Sequence, residues 1–457
     1  MKSKPKESKI ARVQEIEISA DALAARLPAL PAGRRVCVLD SCGVGHLGSH
    51  LLIAGIDPVE NIEISKDDPD AALKIFEEKL GGDLAGIFTI SYDFGLKLQK
   101  IRPRKKETAT APEPDIYLAL FDVLIVHDYD SGKTFLTGSK ERFESIRDEL
   151  SAIEPPRGRL NNAESKIASN FTKAGYLEAV ETIKEYIRGG DTYQTNLTQR
   201  LCVNLSPELK PAHIFRRLRR DHPAPFAAFI ERDGSTVVSA SPERFFKVSP
   251  RPALSASPRP ISTSPIKGTR PRGDTPEQDA ILRNELLTSA KDRAENVMIV
   301  DLLRNDIGRV CEFGSVRIEK LCDLEEHPTL FHLVSTITGN LRDNAGISGI
   351  LHAVFPCGSI TGAPKIRTMQ IIDEIETAGR GLSMGAIGIH IPDSGPWTSD
   401  LGLPLLDLSV AIRTMVIRGS EAVFNVGGGI VIDSDPETEY EESLLKAQAL
   451  LRAIGKD

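Results

Sequence analysis

Two acidic pairs in this chain have the spacing that lets side chains act together. Asp292 and Glu295 stand three apart, as do Glu439 and Glu442, with Lys446 four beyond Glu442. Residues three and four apart share one face of a helix. Two such faces brought together would make an oxygen-rich cage for Mg2+, a hard cation that takes carboxylates and keeps waters. The same spacing also fits ordinary solvated helix charges, with Glu442–Lys446 a weak surface pair.

Other stretches carry groups that could act on an anion. PIKGTRPRG (265–273) places Lys267 between Ile266 and Gly268, where it is a solvated loop charge, a nucleophile or an anion clamp. FNVGGGIVID (424–433) sets Gly427, Gly428 and Gly429 inside an apolar strand pattern, which means a bulge or close approach of a ligand to bare N–H groups. FPCGSITGAPKIRTM (355–369) is a glycine-rich turn feeding a helix; Gly358, Ser359, Thr361 and Gly362 can offer N–H and O–H groups or simply cap it. It is not the phosphate-loop pattern, because no Ser or Thr follows Lys365. His332 is a lone histidine in an apolar strand, and Glu243 precedes an arginine, the pattern of a local ion pair. Arg413 is a charge on an apolar strand, which is costly without an anionic partner. Together these residues supply what an enzyme acting on a small dianion needs: Mg2+, backbone donors, arginine, an acid and a base.

The elements that must position them alternate in type. Asn170 or Thr172 can cap a helix running to about Arg188, ended by Gly189-Gly190. TYQTNLTQRLCVNL (192–205) then alternates as a strand with one polar face, Gln194, Asn196, Thr198 and Arg200. A helix is expected near 211–220, a hairpin around Asp233-Gly234 and a long helical segment over 275–311. A final hairpin pairs 406–417 with 421–435, before a closing helix over 435–454. Towards the N-terminus, 34–43 and 84–95 read as strands ending in turns, and 116–138 as a hairpin; 102–115 and 158–170 read as polar connectors. Residues 1–30 read as a flexible tail and linker, 31–160 as an N-terminal α+β part and 161–457 as the part holding the site, the two forming one intertwined unit. Mixed helices and antiparallel hairpins argue for an α+β fold.

Composition excludes several classes. The 457 residues carry a formal net charge of -7 and 40% hydrophobic residues, so a large core is affordable and a nucleic-acid role gets no support. No apolar run reaches membrane-span length, and MKSKPKESKI lacks the apolar core of a signal peptide. The six scattered cysteines read as reduced thiols of a cytoplasmic enzyme.

SPERF, PIKGTRPRG, DLLRNDIGRV, HLVSTITG, GSITGAPK, AIRT and the GGG…DSDPETEYEES…K ending, in that order over about 165–455, resemble the chorismate-utilising enzymes. VLDSCG and ISYDFG extend the resemblance loosely towards the N-terminus. The resemblance implies a large sandwich of two antiparallel β-sheets with helices packed outside, like anthranilate synthase component I, and Mg2+-assisted displacement of the C4 hydroxyl of chorismate. By position, Glu295 and Glu442 resemble the direct metal ligands and Asp292 and Glu439 the supporting carboxylates. Arg413, Lys446, Gly427, Gly429 and the Ser359–Thr361–Gly362 turn resemble the clamps on substrate carboxylates, Glu243 the general acid, and His332 a site histidine.

Two positions choose within the family. Gln194 stands where the isochorismate and salicylate synthases carry a water-activating lysine; a neutral amide cannot be that base, so ammonia is the expected nucleophile. Lys267 gives PIKGT, the form typical of the branch making 4-amino-4-deoxychorismate on the way to 4-aminobenzoate and folate, where anthranilate synthases read PIAGT. The lysine is a nucleophile holding a covalent adduct or an electrostatic clamp. The alternative is anthranilate formation for tryptophan biosynthesis. The chain has no glutaminase-like segment, so the resemblance implies a separate glutamine amidotransferase subunit supplying ammonia; no fused lyase is expected. It also implies a tryptophan pocket at Asp40, Ser41, Pro225 and Phe226, with Asp40 where glutamate is usual, and Leu382 stands near a position that is often aromatic.

Overall fold

The computed structural model describes residues 13–31, 33–44, 50–104, 113–153, 166–251, 258–326, 330–392, 397 and 401–456. Two antiparallel sheets dominate. The larger, of twelve strands, runs Val13–Ile16, Lys133–Gly138, Val123–Asp128, Leu51–Ile56, Val36–Asp40, Phe226–Arg232, Ser235–Ser241, Thr414–Arg418, Glu421–Ile430, Gln194–Asn204 and Gly362–Ala363, with Ile167–Ser169 also on the Gln194 strand. The second, of ten, runs Ile266–Pro271, Leu330–Asn340, Pro260–Ser264, Arg244–Val248, Leu406–Val410, Ala386–His390, Ala85–Ile90, Ile116–Phe121 and Glu60–Ile64, with Arg317–Glu326 beside Leu330–Asn340. Both sheets take strands from both halves of the sequence.

Strand alternation explains the layers. Cys37, Ile53, Ile87, Phe121, Ile230, Ile387 and Val416 meet between the sheets. On the outer face of the larger sheet, Val38, Leu201, Phe229, Phe424 and Val426 pack under the helices Ala20–Arg26, Phe143–Ala152, Pro211–Asp221 and Pro436–Ala453. On the outer face of the second, Phe88, Phe245, Ile337 and Leu408 pack under Pro69–Leu80, Ala290–Gly308 and Ile347–Val354. The period of two sorts the Gln194 strand: Leu197, Leu201 and Val203 join helix-side clusters, while Gln194, Asn196 and Thr198 are buried on the other face.

The helix expected from Thr172 is Lys173–Arg188, and Thr172 accepts from the Gly175 N–H to cap it. Other expectations change. Val13–Ile16 is a strand, Ala20–Arg26 is a helix, and Leu23 and Leu27 are fully buried, so residues 13–30 are not a tail; residues 1–12 lie outside the described set. A single helical segment over 275–311 is two helices, Pro276–Thr288 and Ala290–Gly308, because Ser289 caps the second by accepting from the Asp292 N–H. Residues 92–98 form a short helix capped by Ser91 rather than a turn. Most of the connector calls at 102–115 and 158–170 fall on residues 105–112 and 158–165, outside the described set; Ile167–Ser169 is a strand.

The largest correction concerns 406–417, expected as one strand of a hairpin. Leu406–Val410 belongs to the second sheet and Thr414–Arg418 to the larger one. The chain crosses at Ala411–Arg413, where Arg413 adopts φ 48°. A second crossing lies between Ser241 and Arg244 and carries Glu243. The crossings are tied together: Val410 N–H donates to Glu243 O, Ala240 N–H to Arg413 O, and Ser241 Oγ to Val410 O.

Candidate active site

Glu243 stands at the crossing between Ser241 and Arg244, buried, with its Oε1 lacking a hydrogen-bond partner among the described residues. Burial pushes its carboxyl up to about 7, against the opposing pull of a Ser359 hydrogen bond and the Lys267 charge. The ion pair suggested by the SPERF sequence does not form: Arg244 pairs with Asp407 at 3.0 and 3.1 Å instead. A carboxyl kept protonated near neutrality, with one oxygen unclaimed, has the properties of a general acid.

Lys267 lies in a bulge. The pairing of Ile266–Pro271 with Leu330–Asn340 slips between Ile266 and Thr269, and Gly268 in the slip has φ 85°. A Cβ at Gly268 would come within 3.0 Å of Asp292 Cβ, so the lysine turn lies against the carboxylate helix. The Lys267 charge helps to lower the pKa of both Glu243 and Glu442. Past the bulge, Thr269 pairs with His332, and His332 Nδ1 lies 2.8 Å from Thr269 Oγ1, which fixes the ring.

The C-terminal helix brings Glu439, Glu442 and Lys446 under the three-glycine strand. Lys446 Nζ lies 2.7 Å from Glu442 Oε1 and donates to Gly427 O at 3.0 Å. Burial pushes Glu442 up, but Lys446, Lys291 and Lys267 together bring it below the usual carboxylate range. Burial raises Glu439, the neighbouring Glu442 adds to this, and Ser434 opposes it by donating at 2.7 Å. The glycines make no bulge: Gly427, Gly428 and Gly429 pair in unbroken register with Thr198, Leu197 and Asn196. They leave space for side chains instead. A Cβ on Gly428 would meet Glu439 Oε2, Lys446 Nζ and Glu442 Oε1 at 3.2–3.8 Å, and one on Gly429 would overlap the Gln194 amide nitrogen. Gln194 Oε1 is buried and has no hydrogen-bond partner among the described residues.

Asp292 accepts from Arg270 at 3.2 Å; Glu295, one turn on, has no side-chain hydrogen bond or ion pair among the described residues. No three His, Cys, Asp or Glu side chains among the described residues form a closed metal cluster. The donor set still fits Mg2+, which binds through one or two carboxylates and keeps its waters. Lys291, beside Asp292, acts on both Glu439 and Glu442, so the two carboxylate helices face one another.

The GSITG turn contributes unevenly. Ser359 helps to lower the Glu243 pKa, and its Oγ lies 3.2 Å from Cys357 Sγ. The Thr361 hydroxyl does not face outward as a donor; it bonds the carbonyls of Cys357 and Gly358. Gly362, at φ 140°, pairs with Thr195, and a Cβ there would lie 2.0 Å from Gln194 O. Arg413 is not on a strand but at the Ala411–Arg413 crossing; burial lowers its pKa, and it has no ion-pair partner among the described residues.

Reading the sequence missed the group that holds this turn to the Gln194 strand. Arg380 donates to Glu376 Oε1 and Oε2 at 2.7 and 2.9 Å, to Asn196 O at 2.7 Å and to Ile360 O at 3.0 Å, under the Tyr92 ring. Glu376 also accepts from the Thr198 N–H and hydroxyl. The i,i+4 Glu–Arg spacing was its only signal, and that spacing is common on solvated helices.

Asp40, Ser41, Pro225 and Phe226 line one cavity of about 60 Å³. Asp40 is already engaged by Tyr129 Oη at 2.7 Å, Arg219 Nε at 2.8 Å and the Cys42 N–H at 2.8 Å. Leu382 is buried in the apolar cluster between the sheets.

Residues 37–452 match the model of the chorismate binding enzyme family. The chain belongs to that family. Aminodeoxychorismate synthase component 1 of Bacillus subtilis is 37% identical over 378 residues, 80% of this chain and 76% of that one. Anthranilate synthase component 1 of Aquifex aeolicus is 38% identical over 364 residues, 75% of this chain and 70% of that one. The crystal structure of anthranilate synthase component I from Streptococcus pneumoniae superposes with TM-score 0.73 at 27% identity, covering 89% of this chain and 93% of that one. This chorismate-utilising enzyme therefore has the anthranilate synthase component I-like α+β fold, and no helix among its described residues is long and apolar enough to cross a membrane.

Proposed function

We propose that this enzyme aminates chorismate to 4-amino-4-deoxychorismate in the cytoplasm, as an aminodeoxychorismate synthase component 1, with ammonia from a glutamine amidotransferase subunit. The observation that carries the reading is Lys267, a lysine in a strand bulge against the Asp292 helix, whose charge bears on both Glu243 and Glu442. Gln194 supports it, because a neutral amide cannot deprotonate water.

Glu243 gives its proton to the departing C4 hydroxyl, which leaves as water. Nitrogen forms the new bond to the ring and loses a proton, so chorismate and ammonia yield the amine and water. Lys267 assists beside the leaving group as a cationic clamp or as a transient nucleophile that ammonia then displaces. Lys446 and Arg413 bind substrate carboxylates, with N–H groups of the three-glycine strand and the GSITG turn. Glu295 and Glu442, backed by Asp292 and Glu439, would hold Mg2+, which when bound supplies Lewis-acid charge to the ring carboxylate and the leaving oxygen.

The test is mass spectrometry of the product from chorismate, Mg2+ and isotopically labelled ammonium. The expected product carries the labelled nitrogen and keeps the enolpyruvyl group. Labelled anthranilate would overturn the proposal.

A further inference from the structure

We propose that Asp93, in the ISYDFG stretch of the N-terminal part, is a positioning residue for chorismate binding: it fixes Arg380, whose guanidinium sets the GSITG turn against the Gln194 strand. The inference rests on the reading of that turn as a clamp on substrate carboxylates.

The guanidinium joins two elements of the site. Its Nη1 donates to Ile360 O, inside the turn, at 3.0 Å, and its Nη2 to Asn196 O, on the strand, at 2.7 Å. The Glu376 carboxylate takes the other edge. The donors of a guanidinium stand in a rigid plane, so the place of Arg380 decides how the two carbonyls sit. The strand and the turn also bond directly: Asn196 Nδ2 donates to Ile360 O at 3.0 Å and the Asn196 N–H to Thr361 O at 2.8 Å. The Arg380 and Glu376 side chains are each 1% exposed, so water competes poorly for these bonds.

The backbone that carries Arg380 is neither helix nor strand: Lys365–Ile375 ends before it and Ala386–His390 begins after it. Its place comes from Asp93, 287 positions earlier in the chain, and from the neighbouring Tyr92. The Asp93 carboxylate accepts from the Arg380 N–H at 3.2 Å and from the Gly381 N–H at 3.0 Å. Tyr92 donates its N–H to Gly381 O at 2.7 Å, and its ring centre lies 4.5 Å from the guanidinium carbon. Both residues open the helix Tyr92–Leu98, which Ser91 caps by accepting from the Phe94 N–H, so the carboxylate is presented from a fixed first turn. An amide in its place offers one acceptor oxygen to two N–H groups and turns its own donor towards one of them. Asp93→Asn therefore loosens Arg380 without removing volume.

Asp93→Asn and Arg380→Lys are assayed, alone and together, by chorismate consumption with Mg2+ and saturating ammonium, so the comparison stands whichever amine is formed. Asp93→Asn should raise KM for chorismate about fivefold with kcat within about twofold of wild type, because a displaced clamp weakens ground state and transition state alike. Arg380→Lys, which keeps the charge but loses the fork, should raise KM at least as far. The double variant should have a KM no higher than Arg380→Lys alone, because Asp93 acts through Arg380. An unchanged KM in Asp93→Asn, or losses that add in the double variant, would overturn the proposal; an unchanged KM in Arg380→Lys as well would overturn the clamp reading with it. If Arg380→Lys fails to fold, Tyr92→Phe, which keeps the ring on the guanidinium, and Tyr92→Leu, which removes it, make the second comparison. KM should then rise only in the leucine variant, and an equal KM in the two would overturn the proposal.

Discussion

Glu243 gains its acidity at a cost in stability. Its pKa rises from 4.5 to about 7 on folding, so between those values the folded chain holds a proton that the unfolded chain has released. The resulting contribution to stability is whole below the unfolded value and is lost as pH rises through about 7. Glu243→Gln cannot ionise and retains an acceptor for Ser359. It should therefore be more stable than wild type at about pH 8 by about 2 kcal/mol, with chorismate turnover reduced about 10²–10⁴-fold. Chemical denaturation at acid and alkaline pH checks the first part; an unchanged stability difference across pH would contradict it. The wild-type rate, expressed per free ammonia, should fall above pH about 7 for the same reason.

Among the elements, two glycines separate folding from function. Gly362 lies at φ 140°, with the Gln194 carbonyl where a Cβ would go. Gly362→Ala must break that strand pairing and should cost at least about 2 kcal/mol in denaturant unfolding. The atoms nearest a Cβ at Gly428 are the ends of Glu439, Lys446 and Glu442. Gly428→Ala should fold with little change in melting temperature, while kcat/KM falls at least about tenfold and the Mg2+ dependence weakens, because the charges on the C-terminal helix are pushed aside. Loss of stability in Gly428→Ala without loss of activity would contradict this assignment. These elements were unequally legible in the sequence. The Lys173–Arg188 helix was readable because its cap, apolar stripe and terminal glycines are local signals. The break at Ser289 hid inside a continuous helical pattern. The crossing at Arg413 was hidden because an apolar run alternates alike whether one sheet or two receive it. Lys267 and Glu243 could be named as candidates from residue type, but their shared surroundings depend on a bulge and a crossing that only long-range pairing creates.

At the scale of the whole molecule, both sheets interleave early and late strands, so the site depends on chain far from it in sequence. The Val13–Ile16 strand closes one edge of the larger sheet against Lys133–Gly138. Ala20–Arg26 buries Leu23 and Leu27 on its outer face. A chain lacking residues 1–30 should melt at least about 5 °C lower than the full chain. An unchanged melting temperature would mean these contacts are dispensable. The central claim concerns what the enzyme does with its substrate. The family includes relatives named for either amination route, and Lys267 is the residue on which the choice rests. The most direct measurement is the pyruvate released per chorismate consumed by wild-type protein with Mg2+ and ammonium. Amination with the enolpyruvyl group retained gives no pyruvate as chorismate disappears. One pyruvate for each chorismate would mean anthranilate is the product and would contradict the assignment.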